Sequence, residues 1–143
     1  MNKQKIVFIT LRLVMGFIFL WAFFDKVFGL GFATTKNQAW IYGGSPTSGF
    51  LAHAVKGPFV DIFHSLSGVA VVDWLFMLGL LFIGLTLIFN KFVKWGCATG
   101  ILMMILMYSA LLLPENNPII DEHIVYILVF TLIALKNGNR QLA

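Results

Sequence analysis

Apolar residues fall into four long runs, separated by one long and two short stretches that carry most of the polar positions. A bilayer span needs about 20 apolar residues. Residues 6–24 form the first run, broken by Arg12. Residues 69–89 form the second, with Asp73 near its start, and residues 96–113 the third. The fourth needs an argument from its ends. Residues 124–135 alone are too short, but Asn117-Pro118 reads as a helix N-cap followed by proline at the first helical position. A helix over 118–136 is then long enough to cross, with Asp121, Glu122 and His123 about a turn inside it. The long polar stretch, 25–68, is rich in turn formers at 40–50. After Gly57-Pro58, residues Phe59, Ile62, Phe63 and Leu66 recur at helical spacing on one face. The pattern predicts an all-α integral membrane protein, a single domain over 1–143. It is a four-transmembrane-helix bundle with a long outer loop that carries a short interfacial helix.

Composition removes the alternatives. Apolar residues are 59% of the chain. Charged residues are 11%, against about 25% in a soluble domain. A chain of 143 residues cannot hide that much apolar surface, which argues against a soluble enzyme. Disorder needs low hydrophobicity and high charge. A disulfide scaffold needs more than the single Cys97, so no disulfide is expected. The formal charge of +4 is mostly topogenic lysine and implies no nucleic-acid partner. Lys3, Lys5, Lys91, Lys94, Lys136 and Arg140 flank one side of the spans, and Lys26, Lys36 and Lys56 the other. Positive loops stay in the cytoplasm. A multi-pass protein of the cell membrane is therefore expected, with both termini cytoplasmic and 25–68 outside. The first apolar run exceeds a usual signal-peptide core and no A-x-A-like site follows it, so a retained helix is expected. Trp21 and Trp74 suit the outer interface and Trp95 the inner one.

Few residues carry candidate chemistry. Arg12 lies roughly 9 Å into the first helix at 1.5 Å per residue. An arginine near the bilayer centre costs about 2.5–3.5 kcal/mol, so it should turn into the bundle or snorkel back to headgroups. Helical phase places Arg12, Gly16, Phe19, Phe23 and Lys26 near one face. Asp25-Lys26 ends that helix on the outer side, where the fourth helix begins with Asp121, Glu122 and His123. These ionisable groups form a cluster at the outer mouth, or the acids simply compensate a helix dipole. Glu122 and His123 are the candidate proton-handling residues. Arg12, Asp25, Lys26, Trp40 and Tyr126 are the candidate binding residues, with Tyr126 extending a polar stripe inward from Glu122 and Trp40 or Tyr42 roofing the cluster. No metal or haem is expected: His53 and His64 are eleven residues apart on a loop, and there is no Glu-x-x-His pair. Met103, Met104, Met107 and Tyr108 read as filler or as the wall of an apolar pocket. Gly96 and Gly100 form a GxxxG pattern that allows close helix approach.

The stretch Leu11-Arg12-Leu13-Val14-Met15-Gly16-Phe17-Ile18-Phe19-Leu20, continuing to Asp25-Lys26, resembles the opening of the DoxX family of small four-helix membrane proteins. The late Asp121-Glu122-His123 is similar as well, while the long 33–68 insertion departs from many members. The resemblance implies a four-helix bundle. For DoxD-like members, subunits of thiosulfate:quinone oxidoreductase, it implies contact with the quinone pool beside a second, outer-face subunit. It assigns no catalytic residues.

Three functions stay open. One is a quinone-linked redox subunit binding a quinone-like amphiphile near the outer face. The second is a non-enzymatic anchor or assembly subunit for a partner protein. The third is a binder or carrier of a small lipophilic solute. The bilayer is a partner in all three, and a homo-oligomer is compatible with each. The charge asymmetry predicts that a Ser45→Cys variant in a Cys97→Ala background is labelled by an impermeant maleimide in intact cells. Labelling only after the membrane is opened would reverse the topology.

Overall fold

A computed structural model describes residues 2–115 and 117–141, and every regular element among them is helical. The first helix, α1 (Lys3–Phe28), starts where the Asn2 side chain accepts from the Gln4 N–H, and stops at Gly29, whose φ of 63° is left-handed. Two 3₁₀ turns follow, Lys36–Gln38 and Trp40–Tyr42, then the short helices α2 (Ser48–His53) and α3 (Val60–Ser65). The remaining long helices are α4 (Ala70–Phe89), α5 (Val93–Ala110) and α6 (Glu122–Gln141). Only three residues separate α4 from α5, and two of them, Asn90 and Phe92, take left-handed conformations to reverse the chain.

Three helices, α1, α4 and α5, are long and apolar enough to cross a membrane. Only 28%, 39% and 33% of their apolar windows are buried inside the protein, so most of each window faces outward. Val7, Phe17, Leu75, Leu78, Phe82 and Leu102 are among the large apolar side chains on those outer faces. Large apolar side chains left outward on helices of this length are consistent with a multi-pass membrane protein.

The long helices pack in sequence, α1 on α4, α4 on α5 and α5 on α6. The ring closes where Phe19 of α1 meets Tyr126 and Phe130 of α6, at centroid distances of 6.3 and 5.3 Å. Met77, Ile83, Leu87, Phe130 and Ile133 fill the centre. One end, the terminal end, carries the start of α1 and the later turns of α6, where Lys136 lies over the Phe8 ring. The other, the loop end, carries residues 29–69.

Small residues set the helix spacing. A Cβ on Gly16 would lie 2.8 Å from Ile88, and one on Gly84 would lie 2.8 Å from Leu20, so α1 and α4 touch backbone to backbone. Gly96 and Gly100 serve two different neighbours. Gly96 receives Thr86 of α4, and a Cβ on Gly100 would lie 2.5 Å from the Phe130 ring of α6.

Arg12 turns into this packing. It is buried, and its Nη1 donates to the Leu87 carbonyl at 2.5 Å. Leu87 lies in the last turn of α4, and residue 91, its partner in a longer helix, lies past the end. The guanidinium thus satisfies an orphan carbonyl at the negative end of a helix dipole.

Two expectations change. α6 begins at Glu122 rather than 118, because Asp121 is its N-cap: Oδ1 accepts from the N–H groups of His123 and Ile124 at 3.0 and 3.4 Å. Asn117 instead closes a separate turn, accepting from the N–H groups of Ile119 and Ile120. Asp121 therefore precedes the helix instead of lying a turn inside it. In α3 the inward face is Val60, Phe63 and Leu66, packed around Leu51, Val55 and Ala110, while Phe59 and Ile62 are exposed. Phe59 precedes the helix as its N-cap residue, and Ile62 lies on the side away from the Leu51, Val55 and Ala110 cluster.

The loop segment is tied to the far side of the bundle too. The Lys56 N–H donates to the Ala110 carbonyl at the end of α5, and Lys56 Nζ pairs with Glu115 at 2.7 Å. That ammonium holds the Glu115 carboxyl below its usual range by hydrogen bond and charge. Replacing Arg12 with leucine should lower stability in detergent by about 1–3 kcal/mol, the cost of stripping a buried carbonyl of its donor. Lys5→Leu, on the exposed first turn, should leave the unfolding midpoint unchanged; equal effects from both would mean that the Arg12 contact contributes nothing.

Candidate functional site

Two buried carboxylates build the loop end. Asp25, in the last turn of α1, accepts from the backbone N–H groups of Phe32 and Ala33 at 3.2 and 2.8 Å and is 1% exposed. Asp73, in the first turn of α4, accepts from the Ser45 and Thr47 hydroxyls at 2.8 and 2.6 Å and from the Thr47 N–H at 3.2 Å. An acid in an apolar helix has to find donors, because a buried unpaired carboxylate costs several kcal/mol. Each aspartate has recruited one arm of the loop: Asp25 the arm beginning at 32, Asp73 the arm beginning at 45.

A cavity of about 610 Å³ lies between these arms. Its walls include Thr34, Asn37 and Gln38 on the first arm and Ser45, Ser48, Phe50 and His53 on the second. Lys26 joins them from α1, its Nζ 5.8 Å from the Phe76 ring centroid. The site thus combines a cation, hydroxyls, amides and an imidazole with an aromatic wall. It suits a ligand with hydrogen-bond-accepting oxygens on an apolar body.

A second polar group sits at the start of α6. His123 is buried, and its Nδ1 lies 2.7 Å from Asp121 Oδ2. With Asp121 ionised, Nδ1 carries the proton and Nε2 is left to accept one. Glu122 is exposed. Ligand atoms of Asp121, Glu122 and His123 lie within 4.8 Å of one another, but both Asp121 oxygens are already engaged in capping α6 and holding the imidazole.

The expected site residues have different surroundings. Lys26 lines the cavity. Asp25 stands beside it with both oxygens turned to backbone. Trp40 is half-buried against the core and meets Trp74 edge to face at 4.6 Å. Tyr126 is half-buried against Phe19. Arg12 is fourteen residues from Lys26 along α1, about 21 Å at the helical rise, too far to share a small headgroup. The ion pairs between described residues are Lys56–Glu115 and Asp121–His123, so Glu122 is not paired with Lys26.

Sequence reasoning missed Asp73, the 45–48 hydroxyls, Asn37 and His53 as one assembly. Its one visible signal was Asp73 itself, an acid at the start of an apolar span. Comparisons with protein-family models, curated proteins and solved structures find no match to this chain.

Asp73→Ala should free the second arm. Amides of 45–53 should exchange at least tenfold faster, since hydrogen bonds to a charged group contribute about 1.5–3 kcal/mol. Asp61→Ala, on exposed α3, should leave that exchange unaltered; unchanged protection in Asp73→Ala would mean the arm is held by something else.

Proposed function

We propose that the chain is a four-span membrane protein with cytoplasmic termini, and that it binds a quinone-like amphiphile at the outer, loop end as a subunit of a membrane redox system. The fourth span is α6, a 20-residue helix whose exposed Val125, Leu128, Leu132 and Leu135 form a lipid-facing stripe. Its Lys136 lies over Phe8 near the start of α1, in keeping with an even number of crossings. The exposed Phe59 and Ile62 of α3 then rest in the interface. The resemblance to the DoxX family points to the same architecture and to the quinone pool.

The observation that carries the ligand reading is the loop-end cavity with Lys26 in its wall. The ammonium and the Ser45 and Ser48 hydroxyls are donors for ring carbonyl oxygens, and Phe50 offers an apolar face. His53 on the wall and the Asp121-held His123 are imidazoles at this end that can carry protons to water. Electrons come from an outer-face partner or a small reductant.

A second reading has its own support. The bundle centre is filled by Met77, Ile83, Leu87, Phe130 and Ile133, as suits an anchor that presents its loop segment to a partner. Titration of the reconstituted protein with a short-tailed quinone, followed by tryptophan emission, separates the two. Saturable quenching that Lys26→Met weakens roughly tenfold, the loss of one charge-assisted hydrogen bond, is expected. Quenching without saturation, or equal affinity in the variant, would leave the anchor reading.

A further inference from the structure

At the terminal end, α1 and α6 leave a cleft of about 340 Å³ between them. Its walls are apolar: Val7, Phe8 and Leu11 from α1, and Leu132 from α6. Its rim is basic, with Lys3 on one helix and Lys136 on the other. The Lys136 ammonium stands 4.7 Å from the Phe8 ring centroid, so a cation–π contact holds it at the cleft mouth. Val7 is 66% exposed and Leu132 51%, so the cleft opens sideways to whatever surrounds the helices.

The charge at this end has no counterweight in the chain's own acids. Asp25, Asp61, Asp73, Glu115, Asp121 and Glu122 all belong to the loop end, as do both ion pairs between described residues. Lys5, Lys91 and Lys94 add to the positive excess at the same end, outside the cleft lining.

We propose that this cleft holds an anionic phospholipid. Its phosphate lies between Lys3 and Lys136, and the upper part of one acyl chain runs along Val7, Phe8, Leu11 and Leu132. The two halves of the site select this occupant together. A free phosphate would use the rim and leave the walls uncovered. A zwitterionic lipid would cover the walls but bring a cation of its own to two ammonium groups. An anionic lipid satisfies both, and basic pockets between spanning helices on the cytoplasmic side take such headgroups. The proposal rests on the membrane-spanning reading but not on the loop-end cavity.

The full-length protein reconstituted in nanodiscs of phosphatidylglycerol or phosphatidylcholine, then released gently for native mass spectrometry, tests it. The wild-type chain should retain one phosphatidylglycerol and melt higher in that lipid. Lys3→Gln with Lys136→Gln should cut retention roughly tenfold. Val7→Trp, which fills the cleft and leaves every charge in place, should cut it too. Lys91→Gln with Lys94→Gln should retain the lipid. Equal retention of phosphatidylcholine, or equal loss in the Lys91 and Lys94 variant, would overturn the proposal in favour of diffuse charge. Displacement of the lipid by millimolar inorganic phosphate would overturn it in favour of a simple anion site. A chain that does not enter nanodiscs at all would remove the membrane reading and this proposal with it, whereas failure of quinone titration would leave it standing.

Discussion

The bond from Arg12 to the Leu87 carbonyl lies in a seam where α1 and α4 run backbone to backbone. It works only because Gly16 and Gly84 bring α1 and α4 into backbone contact one turn away. A larger residue at either glycine would push the helices apart and carry the guanidinium away from its acceptor. Conversely, the buried charge fixes the register of the two helices, since the only carbonyls without helical partners on α4 are those of its last turn. The α1–α4 pair then places Asp25 and Asp73 at the same end, and the loop is built on those two carboxylates.

The same pattern recurs at three aspartates. Asp25 is spent on two loop amides, Asp73 on an amide and two hydroxyls, and Asp121 on the first turn of α6 and an imidazole. No buried side-chain nitrogen or oxygen among the described residues lacks a hydrogen-bond partner. Lys26 differs from them, because it faces a cavity rather than a backbone group. That contrast is why the functional reading rests on it.

The long helices were legible because apolar runs of span length have few alternatives. The α4 range matches to within a residue, and the inward turn of Arg12 followed from the cost of leaving it in lipid. Local capping was less legible. Asn117-Pro118 reads as the N-cap in sequence, but the fold caps α6 with Asp121, four residues on, whose second oxygen also takes His123. The loop-end assembly was least legible. Asp73 and Ser45 are 28 residues apart with no periodicity linking them, so their pairing is a property of the folded arms alone. The Gly96–Gly100 pattern was visible, but one spacing could not reveal that its two glycines receive two different helices.

Arg12 and Leu87 are separated by 75 positions, which gives their bond a place in time as well as in space. At about 5–20 residues per second, the acceptor is synthesised roughly 4–15 s after the donor. Through that interval α1 is without α4 beside it, so the guanidinium does not yet have this acceptor. The bond, and with it the register of α1 on α4, can form only once α4, joined to α5 by three residues, has followed.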